Sequence, residues 1–123
     1  MATGYVYHPI YLEHDLAGHP EGSERLRTLW ARLQSNGLLT RLTPIEPKPV
    51  DLDLLRLVHS ESYRQQVERI ARDGGGHLDM DTYLNSRSYD AALMAAGGVV
   101  EATAAVLDGR VDNGFALVRP PGH

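Results

Sequence analysis

The sequence predicts an α/β fold in which helices flank a parallel sheet, and three observations carry that prediction. Two apolar runs rich in β-branched and aromatic residues, "GYVYHPIYL" (residues 4–12) and "FALV" (115–118), read as strands. Between them, apolar residues recur at the helical spacings of three and four. Polar or glycine-rich turns separate the segments, and strands that alternate with helices suit a parallel sheet.

The first strand breaks at Pro9, which cannot donate to a ladder. A polar loop, "EHDLAGHPEG", then carries His14 and His19. Ser23 has the side chain of a helix N-cap, and Glu24 suits the positive end of the helix dipole. Leu26, Leu29, Trp30 and Leu33 follow at i, i+3, i+4 and i+7, one apolar face expected to enter the core. Asn36-Gly37 supplies a left-handed stop. Residues 41–50, with Pro44, Pro47 and Pro49, suit an edge strand or a connector. Asp51 is placed to cap a short helix through Val58, and Ser60 to cap the next. In that second helix Tyr63, Val67 and Ile70 share a face, and Asp73-Gly74-Gly75-Gly76 ends it. These glycines lack the strand–GxGxxG–helix setting, and the following Gly-Lys-Ser/Thr, that a phosphate cradle needs. "HLDMDTYLN" (77–85) reads as a loop with two carboxylates. A long helix is expected from about Ser86 to Leu107, its Ala91, Ala92, Ala95, Ala96, Gly97 and Gly98 letting it lie close on a sheet. Glycine in mid-helix costs roughly 1 kcal/mol relative to alanine, so close packing is the expected reason for this pair. Asp108-Gly109 ends the helix, and residues 115–118 form the last strand.

At 123 residues the chain is long enough for one domain with its own core. A formal net charge of -4 with no Lys/Arg cluster removes the basic stripe that phosphate contacts require, so no direct nucleic-acid partner is expected. The chain has no cysteine, which excludes disulfides, zinc–cysteine clusters and thiol nucleophiles and fits a reducing, cytoplasmic location. No basic segment precedes an apolar stretch near the start, and no run approaches about 18 apolar residues. Neither a secretory signal nor a membrane span is expected.

The chemistry collects in "NGFALVRPPGH" (113–123). In open α/β sheets ligands gather at the carboxyl ends of strands, which is where "RPPGH" lies. Pro120 and Pro121 stiffen the exit, Gly122 permits close approach, and His123 on so stiff a turn is well placed for proton transfer.

Taken together, "GHPEGSERL", "LVHSESY", "DMDTYLN", "AAGG" and "NGFALVRPPGH" resemble the zinc-dependent histone deacetylase and acetylpolyamine amidohydrolase superfamily, the last motif being closest to its class II branch. The motifs occur in the family's order, from about His8 to His123. The resemblance implies an arginase-like α/β fold with a central parallel sheet. It also implies hydrolysis of an acetylated amine by a zinc-bound water, and potassium as a further ion. Residues 1–123 are expected to be the N-terminal portion of a single deacetylase domain, truncated within its tandem-histidine motif, with all metal ligands downstream. By this resemblance His123 matches the first catalytic histidine of the pair. Asp81 matches the rim aspartate that accepts hydrogen bonds from the substrate backbone, with Asp79 as the neighbouring alternative. Gly122 with Pro121 matches the turn that shapes the pocket wall, and Arg25 matches the arginine beside an internal cavity. The family's extra structural zinc, which uses cysteines in some class II members, has no counterpart here.

Plainer readings stand beside these. His14 and His19 lack a third ligand nearby and read as ordinary loop residues, His59 as a helix-junction packing residue, and Arg25 and Asp81 equally as a surface arginine and a turn former. Substrate would be acetyl-lysine or an acetylated polyamine, with no membrane partner. The piece alone is expected to be inactive and to associate with itself through an exposed sheet edge or face. A non-catalytic deacetylase-like interaction module is the alternative.

Overall fold

Alternation along the first strand decides how the sheet is covered. The computed structural model describes residues 1–122; His123, the expected catalytic histidine, lies outside them. In β1 (Thr3–Val6) successive side chains leave on opposite faces. Tyr5, and Tyr7 just beyond the strand, meet Trp30 of α1 (Glu24–Ser35), the Tyr7 ring stacking on the indole at 3.8 Å and 9°. Gly4 and Val6 face the other way, toward the side covered by the long helix near the end of the chain. Helices therefore flank the sheet on both faces, and the fold is α/β, as the sequence predicts.

The remaining elements follow in order: β2 (Thr43–Pro44), α2 (Leu52–Leu55), α3 (Glu61–Arg72), β3 (Gly75–His77), β4 (Tyr83–Asn85), α4 (Ser88–Leu107) and β5 (Asn113–Ala116). The sheet has the order β2-β1-β5, all parallel, with Gly4 opposite Thr43 and Gly114. Segment 41–50 thus provides an edge strand only two residues long. Asp51 and Ser60 cap their helices by accepting from the backbone N–H groups of Asp53 and Tyr63. Gly37, at φ 73°, makes the left-handed turn after α1.

Gly97 and Gly98 have the packing role expected of them. A Cβ at Gly97 would overlap the Lys48 carbonyl oxygen, and one at Gly98 would come within 2.8 Å of Tyr11 Oη and Val6 Cγ1. By length and mean hydropathy α4 could cross a bilayer. Here its small-residue face lies on β1, on the 48–50 segment and on Tyr11, whose hydroxyl donates to Met94 O at 2.9 Å. The core gathers Val6, Tyr11, Leu26, Ile45, Ala95, Ala105 and Leu117 between helix and sheet.

Four local expectations change. Residues 77–85 are not simply a loop, because β3 and β4 pair antiparallel as a hairpin (Gly76 opposite Leu84). Ser23 does not cap α1; its backbone is already helical and its hydroxyl donates to Asp15 Oδ2 at 2.8 Å. Leu29 does not enter the core with Leu26, remaining 41% exposed. β5 begins two residues before the expected run, and a bond from Leu117 N to Val6 O at 2.9 Å extends its pairing with β1.

Candidate functional site

From β1 the chain moves to β2 on one side and later returns to β5 on the other. The carboxyl ends of β1 and β5 thus flank a reversal of strand order, the place where open α/β sheets bind ligands. Two loops leave there, residues 7–23 after β1 and 117–122 after β5, with the β3–β4 hairpin beside them.

Arg119 joins all three. It is 5% exposed, and each of its five N–H groups has an acceptor. Nε donates to Glu21 Oε1 at 2.9 Å and Nη2 to Glu21 Oε2 at 2.6 Å, a bidentate pair. Nη1 donates to the carbonyls of Tyr11 (2.8 Å) and His14 (2.6 Å), and Nη2 also reaches Tyr83 Oη at 3.3 Å. The Tyr83 hydroxyl in turn donates to Glu21 O at 2.8 Å. Burial alone would raise the Glu21 pKa, but the bonds and charge of Arg119 outweigh it and hold the carboxyl below its usual range. Burial likewise opposes the Arg119 charge, and Glu21 more than offsets it. Asp15 follows the same logic: desolvation raises its pKa, but bonds from Ser23 N (3.0 Å) and Oγ hold it low.

His14 is buried beside this pair, its ring stacked on Tyr83 at 4.4 Å and 6°. Ser88 Oγ accepts from Asn85 N at 2.7 Å and donates to Asn85 Oδ1 at 3.0 Å. Its 2.7 Å contact with His14 Nδ1 therefore has the ring N–H as donor. Burial first, and the Arg119 charge second, lower the His14 pKa to about 4, so the ring is neutral near pH 7. Ser88, His14 and Glu21 resemble a nucleophilic triad only on paper, since Ser88 is fully buried and no substrate reaches it.

His19 has a defined tautomer too. Its Nδ1 accepts from Glu21 N at 3.0 Å, so Nε2 carries the proton and donates to Asp81 O at 2.9 Å. Neither His14 nor His19 has a nitrogen turned toward a shared ion. Among the described residues no group of three or more His, Asp or Glu could hold a metal ion. Residues 1–122 therefore do not fit a zinc site.

The two carboxylates of the hairpin have different work. Asp79 Oδ1 accepts from Asp81 N (2.9 Å) and Thr82 N (2.8 Å), which holds its carboxyl below the usual range and makes it the turn former. Asp81 is exposed, and among the described residues its carboxylate accepts no hydrogen bond. Arg25 is exposed and lines a cavity of about 310 Å³ with Asp15, His19, Ser23 and Arg27. Gly122 is exposed with open space around its Cα. Asp81, Arg25 and Gly122 share no hydrogen bond among the described residues; the loop network of Glu21, Tyr83 and Arg119 links the segments that carry them. Glu21, Tyr83 and Arg119 are the residues sequence reading passed over, and His14, read there as an ordinary loop residue, packs beside them. The only sequence signal for Arg119 and Glu21 was their place inside two recognisable motifs.

The family described as "Histone deacetylase domain" matches residues 19–123. A probable deacetylase of Archaeoglobus fulgidus is 39% identical over 126 residues, covering 100% of this chain and 35% of that protein. Human histone deacetylase 9 is 34% identical, covering 99% of this chain and 15% of that protein. A crystal structure of the HDA15 HD domain superposes with a TM-score of 0.93 at 33% identity, covering 100% of this chain and 36% of that one. The chain thus spans about a third of the archaeal relative and of the solved domain, and a smaller share of the human protein. The matched segment takes in Glu21, α1, the hairpin, α4 and the β5 exit with Arg119, while residues 7–18 of the loop after β1 precede it, and the chain belongs to the histone deacetylase family.

Proposed function

We propose that the protein containing this chain is a zinc-dependent amidohydrolase that removes acetyl groups from acetyl-lysine or acetylated polyamines. The observation that carries this reading is the β5 exit, clamped by Arg119 at the carboxyl end of its strand beside the hairpin that presents Asp81. His123 would take the proton-handling and charge-stabilising role of the first histidine of a pair. Asp81, whose carboxylate is left free by the Asp79 turn, would accept hydrogen bonds from substrate N–H groups. Gly122 would form pocket wall, and Arg25 would border the internal cavity that the family resemblance implies. The zinc, and any potassium, would be held by residues other than 1–122, so this piece alone is expected to be inactive.

The intact protein should release acetate from acetyl-lysine peptides or acetylpolyamines in a reaction abolished by a chelator. Absence of chelator-sensitive turnover on every such substrate overturns the reading in favour of an interaction module. Asp81→Ala separates the substrate classes, since only peptides offer backbone N–H groups. Removing a charge-assisted bond of about 1.5–3 kcal/mol should raise KM for peptides about 10-fold or more and leave acetylpolyamines near wild type.

A further inference from the structure

Arg119 stands four residues before His123 in the sequence, and its bonds end on two other segments, the loop after β1 and the hairpin. The carbonyls of Tyr11 and His14 and the Glu21 carboxylate belong to the loop after β1, and the Tyr83 hydroxyl to the start of β4. Tyr83 lies two residues beyond Asp81, whose carbonyl is held by His19 Nε2. The β4 side of the hairpin turn is therefore anchored twice on residues 19–21, and Arg119 is anchored on Glu21 of the same stretch. Displacing the β5 exit would break several of these bonds together.

A buried ion pair is weak grounds for a stabilising role, because apolar residues of similar volume often hold a fold as well or better. What an apolar pair lacks is direction. The planar guanidinium fixes the Glu21 carboxylate in two places and the Tyr83 oxygen in a third, so it sets the orientation of the exit as well as its depth. A lysine would keep the charge and lose that orientation.

Building on the deacetylase reading, we propose that Arg119, acting through Tyr83 and Glu21, is a positioning residue that couples the substrate-binding hairpin at Asp81 to the turn that leads into His123. Substrate seated at the rim and the proton-handling turn then share one rigid frame, and loosening the frame harms chemistry or binding according to which bond is cut.

The test uses the intact protein, with kcat expressed per site counted by a tight-binding inhibitor. Arg119→Lys should lower kcat per counted site by about 10- to 100-fold, the cost of a misplaced catalytic group. Tyr83→Phe cuts only the hairpin link and should raise KM for acetyl-lysine peptides about 3- to 10-fold, with a smaller change in kcat. A merely structural role would reduce the number of countable sites while kcat per site and KM stay at wild-type values, and that result overturns the proposal. Hydrogen exchange supplies a readout independent of turnover and of whether Arg119→Lys folds. In Tyr83→Phe, residues 78–85 and 117–122 should exchange several-fold faster together while α3 is unchanged. Acceleration confined to one of the two segments overturns the coupling. Coupled exchange in a protein with no deacetylase activity supports the frame and counts against the deacetylase reading alone.

Discussion

His14 is held neutral by its surroundings, and that has a direction in pH. Its unfolded-state pKa is the ordinary 6.5, and burial with the Arg119 charge brings the folded value to about 4. Glu21 Oε2, 3.9 Å from Nε2, pulls the other way but is already neutralised by its bidentate arginine. Between those two values the unfolded chain binds a proton that the folded chain refuses, so stability rises with pH across the window and falls as pH drops through it. The depressed carboxyls of Glu21 and Asp15 work at lower pH. Their contribution is present above the ordinary values of 4.5 and 3.8 and is lost as pH falls below them. From pH 6.5 to about 4.5, then, the effect belongs to His14. In the intact protein His14→Asn retains a donor for Ser88 but no titrating ring, so melting temperature plotted against pH should flatten over that interval. An unchanged slope would place the titration elsewhere.

At the scale of elements, the tightest constraint is where α4 crosses the 48–50 segment. Val50 N donates to Leu93 O at 3.0 Å, holding that segment's backbone against the helix. Gly97→Ala would drive a methyl into the Lys48 carbonyl, which cannot swing aside as a side chain could. Overpacking of this kind costs about 1–3 kcal/mol, against a helix-propensity gain of about 1 kcal/mol. Because the obstacle is backbone, the upper end applies, and denaturant unfolding of the intact protein should show a net loss of about 2 kcal/mol. Gly114→Ala is the control: its methyl would meet Ala102 Cβ at 3.7 Å, an ordinary contact, and its midpoint should stay near wild type. The alanine–glycine pattern announced this crossing in the sequence, because so many small residues within two turns of a helix, two of them glycines that weaken it, have few physical reasons other than close packing. Asp51 and Ser60 were legible for a similar reason: a cap bonds within three residues. Ser23 was not, since Asp15, eight residues back, competes for its hydroxyl. The β3–β4 hairpin was hidden because Gly75-Gly76-His77 lacks β-branched alternation; it pairs through backbone, with Gly75 at φ 113°. The Arg119–Glu21 pair was beyond reach, its partners being 98 residues apart and each plausible alone as a surface charge.

For the molecule as a whole, the question is what lies beyond β5. Among the described residues that strand is paired only with β1, so a row of its backbone groups faces outward, and Phe115 is 63% exposed beside it. Unpaired parallel edges with an apolar residue template pairing with another strand. In relatives about three times as long, further chain is available to occupy such an edge. A polypeptide of residues 1–123 expressed alone has no such chain and should pair with a second copy. Light scattering should then show mass rising with concentration. Phe115→Lys should suppress that rise, because a charge on an edge strand opposes pairing and Phe115 makes none of the hydrogen bonds of the Arg119 clamp. A monomer at all concentrations would mean that the edge is blunted from within the chain. Association that survives Phe115→Lys would instead move the contact to the exposed apolar residues of α4, where Val106 and Leu107 lie open to solvent.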